Sequence, residues 1–198
     1  MKGLCRWLLG LRGWDLSTKP LPLIDKAIVI FAPHTSNWDF VTMVMAKFAM
    51  GVQVRYLGKH SLFYWPTGWF FRSLGGMPVV RHEHNNVVGN IVDLIESNEK
   101  IWLALAPEGT RSFTPYWKSG FYHIAERSNL PILMFYLDVK SKTIGFSDLF
   151  HVTGNIEDDM LKIRDYYSDK EGYKPHQTST IQTKKQYKLL EKTNAKHN

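Results

Sequence analysis

The sequence predicts a single α/β domain in which a mostly parallel or mixed sheet is flanked by helices. Short apolar runs alternate with segments of helical periodicity along most of the chain, and this alternation is typical of layered α/β proteins. With 198 residues, 44% of them hydrophobic, the chain is long enough to bury one substantial core. No internal repeat or linker divides it, so one domain accounts for the whole pattern.

The individual elements follow from these two periodicities. Apolar runs predict strands at residues 26–32, 54–58, 76–80, 101–106 and 131–138, and two antiparallel additions at 142–146 and 149–154. Apolar residues at helical spacing predict helices over residues 38–50, 85–100, 116–129 and 156–167. The aromatic segment between residues 61 and 74 predicts a helix that Pro66 kinks or splits.

An amphipathic helix is predicted in the N-terminal segment, residues 1–20. Its apolar residues follow helical spacing, and its two arginines lie elsewhere on the helical wheel: Leu4, Trp7, Leu8, Leu11 and Trp14 against Arg6 and Arg12. Such a helix either lies in a membrane interface or packs on the body of the protein. Arg12 interrupts the apolar stretch that a signal peptide would need, and no apolar run in the chain is long enough to span a bilayer.

The basic character of the chain is concentrated at its two ends. The formal net charge is +7, of which residues 1–19 contribute +3 and residues 169–198 contribute +4. We expect residues 169–198 to form a basic polar tail, either disordered or loosely helical, after a folded body at residues 21–168. Basic ends suit a membrane surface with anionic lipids or a nucleic acid. The near-neutral body argues against specific nucleic-acid binding, and the single cysteine, Cys5, favours a reducing compartment.

The stretch FAPHTSNWDF, residues 31–40, places a histidine after an apolar strand and an aspartate five residues later. On one straight helix these two positions would point roughly 140° apart. Ser36 is a good N-cap, and with Ser36 as the cap Asp39 falls at the third helical position, so that the chain bends between the two residues. The bend can bring the carboxylate to the imidazole of His34 and leave the other ring nitrogen as a general base. The alternative is that Asp39 only caps the helix.

A second stretch, LALAPEGTRSF at residues 103–113, repeats this arrangement of strand, proline and polar residues. Arg111 carries a planar guanidinium suited to phosphate, and Gly109 permits a left-handed backbone or close approach. Glu108 can hold a hydroxyl group or brace Arg111. The alternative is a surface turn that contains an ion pair.

Taken together, H-x4-D and P-E-G-T-R-S about seventy residues later resemble the glycerophospholipid acyltransferase family, of the lysophosphatidic-acid-acyltransferase type. Residues 58–84 are similar to the family's middle block, and Pro131 meets a fourth element. The matching positions of the middle block are Lys59, Pro66, Gly68, Gly75, Gly76 and Arg81. The resemblance covers roughly residues 27–140. Pro33 departs from the asparagine usual in the family, which leaves the subfamily and the acceptor open.

The resemblance implies transfer of a fatty acyl group from acyl-CoA or acyl carrier protein to the free hydroxyl of a lysophospholipid, with 1-acylglycerol-3-phosphate as the expected acceptor. It implies His34 as the general base and Asp39 as its partner. The implied substrate-binding residues are Lys59, Arg81, Glu108, Gly109, Thr110 and Arg111. No cofactor is implied, and we expect a cytoplasmic enzyme on the inner face of the cell membrane. A different hydroxylated acceptor and a non-catalytic membrane-binding module are the alternatives.

Two further features leave alternatives open. His82 and His84 alternate in a predicted strand and could share a metal, but no third ligand is evident nearby. The aromatic segment could line an acyl tunnel, face a membrane or simply pack a helix; it contains Phe63, Tyr64, Trp65, Trp69, Phe70 and Phe71.

Overall fold

A seven-stranded mixed sheet forms the centre of the computed structural model, which describes residues 1–79 and 87–194. The strands are β1 (Asp15–Leu16), β2 (Lys26–Ala32), β3 (Val54–Lys59), β4 (Gly76–Val79), β5 (Ile101–Leu105), β6 (Ile132–Asp138) and β7 (Thr143–Phe150). Their order is β1-β7-β6-β2-β5-β3-β4. Among the strand pairs of the described residues, β6–β7 alone is antiparallel, so the predicted α/β fold class with a mixed sheet is confirmed.

The helices are α1 (Lys2–Leu11), α2 (Asn37–Met50), α3 (Gly68–Ser73), α4 (Val87–Glu96), α5 (Gly120–Ser128), α6 (Ile156–Tyr167) and α7 (Lys184–Asn194). Short 3-10 turns cover His60–Phe63 and Pro175–Gln177. The aromatic segment is therefore split beside Pro66, as predicted. None of the described helices has both the length and the apolar composition that crossing a bilayer requires.

Strand β2 shows how the core is divided between the two faces of the sheet. Successive side chains of a strand point to opposite faces. Ile28 and Ile30 join a cluster with residues of α4, α5 and α6, whereas Ala27 and Val29 join a cluster on the face that α2 covers. Because both faces are buried, this central strand is apolar throughout, which explains its continuous rather than alternating pattern.

The N-terminal segment differs from the prediction of one apolar face. Helix α1 packs against α2 and buries Leu9, while four apolar side chains stay exposed: Leu4, Trp7, Leu8 and Leu11. Trp14 lies beyond the end of the helix and is buried in a cluster with Leu9, so it is not part of the exposed stripe. Strand β1 then pairs with β7 at the sheet edge. The segment is thus both packed on the body and apolar on its outer side.

The expectation of a disordered or loose tail after residue 168 is wrong for residues 171–183. Gly172, Ser179, Gln182 and Thr183 are buried. Their backbone and side chains bond to the body, for example from Trp117 N–H to the carbonyl oxygen of Gln182 at 3.0 Å. A polar composition indicated exposure, but these polar groups are hydrogen-bonded inside the protein, which removes most of the cost of burying them.

Candidate active site

The sheet brings the two polar motifs to one edge. Strands β2 and β5 are parallel neighbours, with Ile30 opposite Leu105 in register. His34 follows β2, and the segment from Pro107 to Arg111 follows β5. Because the carboxyl ends of parallel strands lie together, the loops after β2 and β5 adjoin.

A cavity of about 1240 Å³ opens beside these loops. Its polar lining includes His34, Lys59, Gly109, Thr110 and Arg111. Most of the remaining lining is apolar and comes from α2, β3, α3, α4 and α5. The volume exceeds the usual range for a small-molecule pocket, roughly 300–1,000 Å³. An apolar cavity with a few convergent polar groups suits an amphiphilic ligand.

The bend predicted between His34 and Asp39 is present. Ser36 is the N-cap of α2, and its hydroxyl accepts a hydrogen bond from Trp38 N–H at 3.2 Å. Asp39 occupies the third helical position, where its Oδ2 accepts hydrogen bonds from the N–H groups of Thr35 and Ser36, each at 2.6 Å. His34 Nδ1 lies 3.3 Å from the same oxygen.

The Asp39 side chain is more deeply buried than that of His34. The Asp39 side chain is 0% exposed and that of His34 is 16% exposed. Nδ1 of His34 is buried, lies 3.3 Å from Asp39 Oδ2 and makes no hydrogen bond of regular geometry, so Nε2 is the ring nitrogen left for a ligand in the cavity. A carboxylate this close to Nδ1 favours the tautomer that carries its proton on Nδ1.

Glu108 lies behind the cavity wall rather than in it. It is 1% exposed. Its Oε1 accepts the His34 N–H at 2.7 Å, and its Oε2 accepts the Ser179 hydroxyl at 2.9 Å. Burial raises the pKa of the Glu108 carboxyl, against the opposing effect of these two hydrogen bonds. Both oxygens are engaged inside the protein, and neither hydrogen-bonds to Arg111; the contact with a substrate hydroxyl stays a prediction. In the structure Glu108 fixes the loop of His34.

The rest of the second motif lies on the cavity surface. Gly109 has a φ of +67°, a backbone conformation that favours glycine, and a Cβ there would lie 2.8 Å from the flexible end of the Lys118 side chain, which can shift. Thr110 accepts a hydrogen bond from Ser112 N–H at 3.3 Å, which leaves its own hydroxyl hydrogen for a ligand. Arg111 is exposed and lines the cavity.

The cations of the cavity only partly match the predicted set. Lys59 and Arg111 line it, whereas Arg81 lies outside the described residues, as do His82 and His84. Two lysines were not predicted. Lys118 and Lys47 both line the cavity. The Lys118 side chain lies beside Gly109, and Lys47 donates to the Leu74 carbonyl oxygen at 2.7 Å. Burial lowers the pKa of Lys47. No short motif marks either lysine in the sequence.

The aromatic segment divides among three environments, and its roles as tunnel lining or membrane contact stay predictions. Phe70 and Phe71 line the cavity. Phe63 is buried and would meet a Cβ at Gly58 or Gly76, so it is a packing residue. The segment also places bulky side chains in solvent, with Trp65 being 92% exposed and Trp69 71% exposed.

A family model described as Acyltransferase matches residues 17–137, which is more than half of the chain. The chain therefore belongs to the Acyltransferase family and is an acyltransferase, and the resemblance seen in the sequence is confirmed. A search of curated proteins found no match.

Among solved structures, the chain is similar to the crystal structure of the 1-acyl-sn-glycerophosphate (LPA) acyltransferase, PlsC, from Thermotoga maritima. The TM-score is 0.60, and the alignment covers 96% of this chain and 78% of that chain. The two sequences are 14% identical, so this likeness establishes the fold and leaves the substrates to be tested.

Proposed function

We propose that the chain transfers a fatty acyl group from an acyl thioester, acyl-CoA or acyl carrier protein, to the free hydroxyl of 1-acylglycerol-3-phosphate, which gives phosphatidic acid. The observation that carries this proposal is the position of His34. Its ring lies on the wall of a largely apolar cavity, with a fully buried carboxylate 3.3 Å behind it. The name of the similar solved structure supports the same acceptor class.

In the proposed reaction His34 Nε2 takes the proton of the acceptor hydroxyl as its oxygen attacks the thioester carbonyl. The new C–O bond forms, the C–S bond breaks, and the proton passes from the imidazolium to the departing thiolate. Asp39 stabilises the imidazolium during this exchange. A thiol has a pKa of about 8.5, so the thiolate is a good leaving group. No acyl-enzyme is required, and Cys5 lies in α1 rather than on the cavity wall.

The lining supplies complementary surfaces for both parts of a lysophospholipid. Arg111, Lys59 and Lys118 form a group of cations for the phosphate of the headgroup, and Arg81 joins them by resemblance. The apolar side chains from α2, α3 and α4 suit an acyl chain. Apolar lining favours burial of the chain by roughly 0.8 kcal/mol per CH₂ group.

We also propose that the enzyme works on an anionic membrane surface, at the cytoplasmic face of the cell membrane. The exposed apolar stripe of α1 is accompanied by Arg6 and Arg12, which are exposed as well. Trp65 and Trp69 are exposed as well, and tryptophan is enriched at membrane interfaces. Apolar and cationic groups together are the chemistry of interfacial binding.

The test is incubation of the full chain with acyl-CoA, then with acyl carrier protein thioesters, and a panel of lysolipids, followed by mass spectrometry of the products. His34→Ala should lower turnover by roughly 10²–10⁴-fold, the usual contribution of a general base. Because the His34 side chain is only 16% exposed, the unfolding midpoint of the variant is measured as well, and each rate is normalised to folded protein.

His123→Ala is the matched control. His123 also approaches a carboxylate, Glu126, at 3.5 Å, but this pair is about half exposed on α5. Turnover by His123→Ala should equal that of the unmodified enzyme. A His34→Ala variant with near-full activity would remove His34 from the mechanism.

A further inference from the structure

Residues 171–183, which we call the C-terminal strap, cross back over the two loops of the active site. The strap begins where Val139 N–H donates to the Glu171 carbonyl oxygen at 2.8 Å, and ends where Trp117 N–H donates to that of Gln182 at 3.0 Å. It lies beyond residues 17–137, which the family model matches.

The first group of contacts holds the loop of His34. Lys174 N–H donates to Thr35 Oγ1 at 3.0 Å. Gly172 packs so closely that a Cβ would lie 2.6 Å from the same oxygen. Thr35 N–H in turn donates to Asp39 Oδ2 at 2.6 Å. The strap thus supports a residue that bonds directly to the carboxylate facing the imidazole.

The second group of contacts reaches His34 through Glu108. Ser179, which is 4% exposed, donates its hydroxyl hydrogen to Glu108 Oε2 at 2.9 Å and accepts a hydrogen bond from Thr114 N–H at 3.1 Å. Glu108 Oε1 accepts the His34 N–H at 2.7 Å. One buried carboxylate therefore joins the strap to the backbone of the proposed base.

A third contact spans both loops at once. With its amide nitrogen facing the two carbonyl groups, Gln177 donates to the carbonyl oxygens of Thr35 and Arg111, each at 2.9 Å. Thr35 follows His34, and Arg111 is the cation on the opposite loop. The strap accordingly sets the separation between the loop of the base and the loop of the headgroup cation.

We propose that the C-terminal strap positions the active site, with Ser179 as a positioning residue that acts on His34 through Glu108. This proposal rests on the proposed function of His34. Misplacement of a reacting group by about 1 Å can cost on the order of 10²-fold in rate. The strap needs no contact with substrate for this effect, because it fixes both loops from outside the cavity.

The decisive variant is Ser179→Ala, studied in the full chain at a temperature well below its unfolding midpoint. It removes the hydroxyl that donates to Glu108 and accepts hydrogen bonds from the N–H and Oγ1 of Thr114. It should lower kcat by roughly 10-fold, because the Glu108 carboxylate loses one of its two hydrogen-bond donors, with little change in KM for either substrate. Ser179→Thr keeps the hydroxyl and should restore most of the rate. Thr180→Ala is the matched control, since Thr180 is exposed and bonds to Thr114 through its backbone N–H.

A double-mutant cycle with Glu108→Gln tests the route through Glu108. If Ser179 acts through Glu108, adding Ser179→Ala to the Glu108→Gln variant should lower kcat little further. Losses that add independently would overturn the route, and an unchanged kcat in Ser179→Ala, with His34→Ala impaired, would overturn the positioning role.

Amide hydrogen exchange supplies a measurement that does not depend on turnover. Exchange in the peptide containing the His34 amide should accelerate in Ser179→Ala and stay unchanged in Thr180→Ala, because the Glu108 acceptor is loosened only in the first. Equal protection in both variants would overturn the positioning proposal. An unmodified enzyme without acyl transfer would instead refute the proposed function, while the exchange result would still decide whether the strap fixes the loop.

Discussion

Asp39 combines two roles that a pair of substitutions can separate. As a helix cap, its carboxylate accepts hydrogen bonds from the N–H groups of Thr35 and Ser36. As a proposed catalytic partner, it faces His34 Nδ1 at 3.3 Å. Asp39→Asn keeps the size and one acceptor oxygen but removes the charge. Ser36→Ala removes only the capping hydroxyl that bonds Trp38 N–H and leaves the carboxylate in place.

The two roles predict different magnitudes. Loss of the Ser36 cap should lower the free energy of unfolding by about 1 kcal/mol, which shifts the midpoint by roughly 2–4 °C in a chain of this size. Asp39→Asn weakens two charge-assisted hydrogen bonds and should cost about 1–3 kcal/mol. It also removes the charge that stabilises the imidazolium, so kcat should fall by roughly 10²-fold or more.

The assay combines urea unfolding with single-turnover acyl transfer measured by mass spectrometry, each rate normalised to folded protein. Ser36→Ala should keep turnover within a few-fold of the unmodified enzyme, despite its lower stability. A loss of turnover in Ser36→Ala as large as that in Asp39→Asn would refute the reasoning. In that case the helix terminus, and not the charge beside His34, would account for activity.

Three further predictions concern the headgroup site, the buried carboxyl and the membrane. Arg111→Ala should raise KM more for a phosphate-bearing lysolipid than for an uncharged one, and equal increases would contradict a phosphate role. Burial raises the pKa of Glu108 above its ordinary 4.5, so its contribution to stability is present below that pH and lost as pH rises through the folded pKa. Urea unfolding at a series of pH values should show this loss of stability in the unmodified chain but not in Glu108→Gln. The same dependence of unfolding free energy on pH in both proteins would contradict the prediction. Trp7→Glu should weaken sedimentation with anionic vesicles, whereas Leu23→Glu, at a fully exposed position outside α1, should not; equal binding by both variants would exclude α1 as the contact.

The sheet was predictable because its strands are buried on both faces. A short continuous apolar run such as Lys26–Ala32 is typical of a strand buried on both faces of a sheet. Strand β1 escaped prediction because Asp15–Leu16 is only two residues long and pairs at the sheet edge with β7. This pairing depends on a partner strand more than a hundred residues away in the chain, so no local sequence pattern indicates it.

The contact between His34 and Asp39 was predictable because a capping rule fixes it locally. Once Ser36 is the N-cap, the positions of Asp39 and of the bend follow. The role of Glu108 was not predictable in the same way. Its partners, His34 and Ser179, lie 74 and 71 residues away in the chain, and only the parallel pairing of β2 with β5 and the return of the strap bring them together.

The C-terminal strap shows why composition alone misjudges a polar segment. A stretch rich in threonine and glutamine lacks the apolar surface that normally offsets the entropy of ordering a chain. Here the strap is ordered by donating hydrogen bonds to two acceptors of the body, Glu108 Oε2 and Thr35 Oγ1. Those groups belong to loops whose own polar atoms must be satisfied when they are buried. The strap and the active-site loops therefore order one another, which is why a change at Ser179 should be detected at His34.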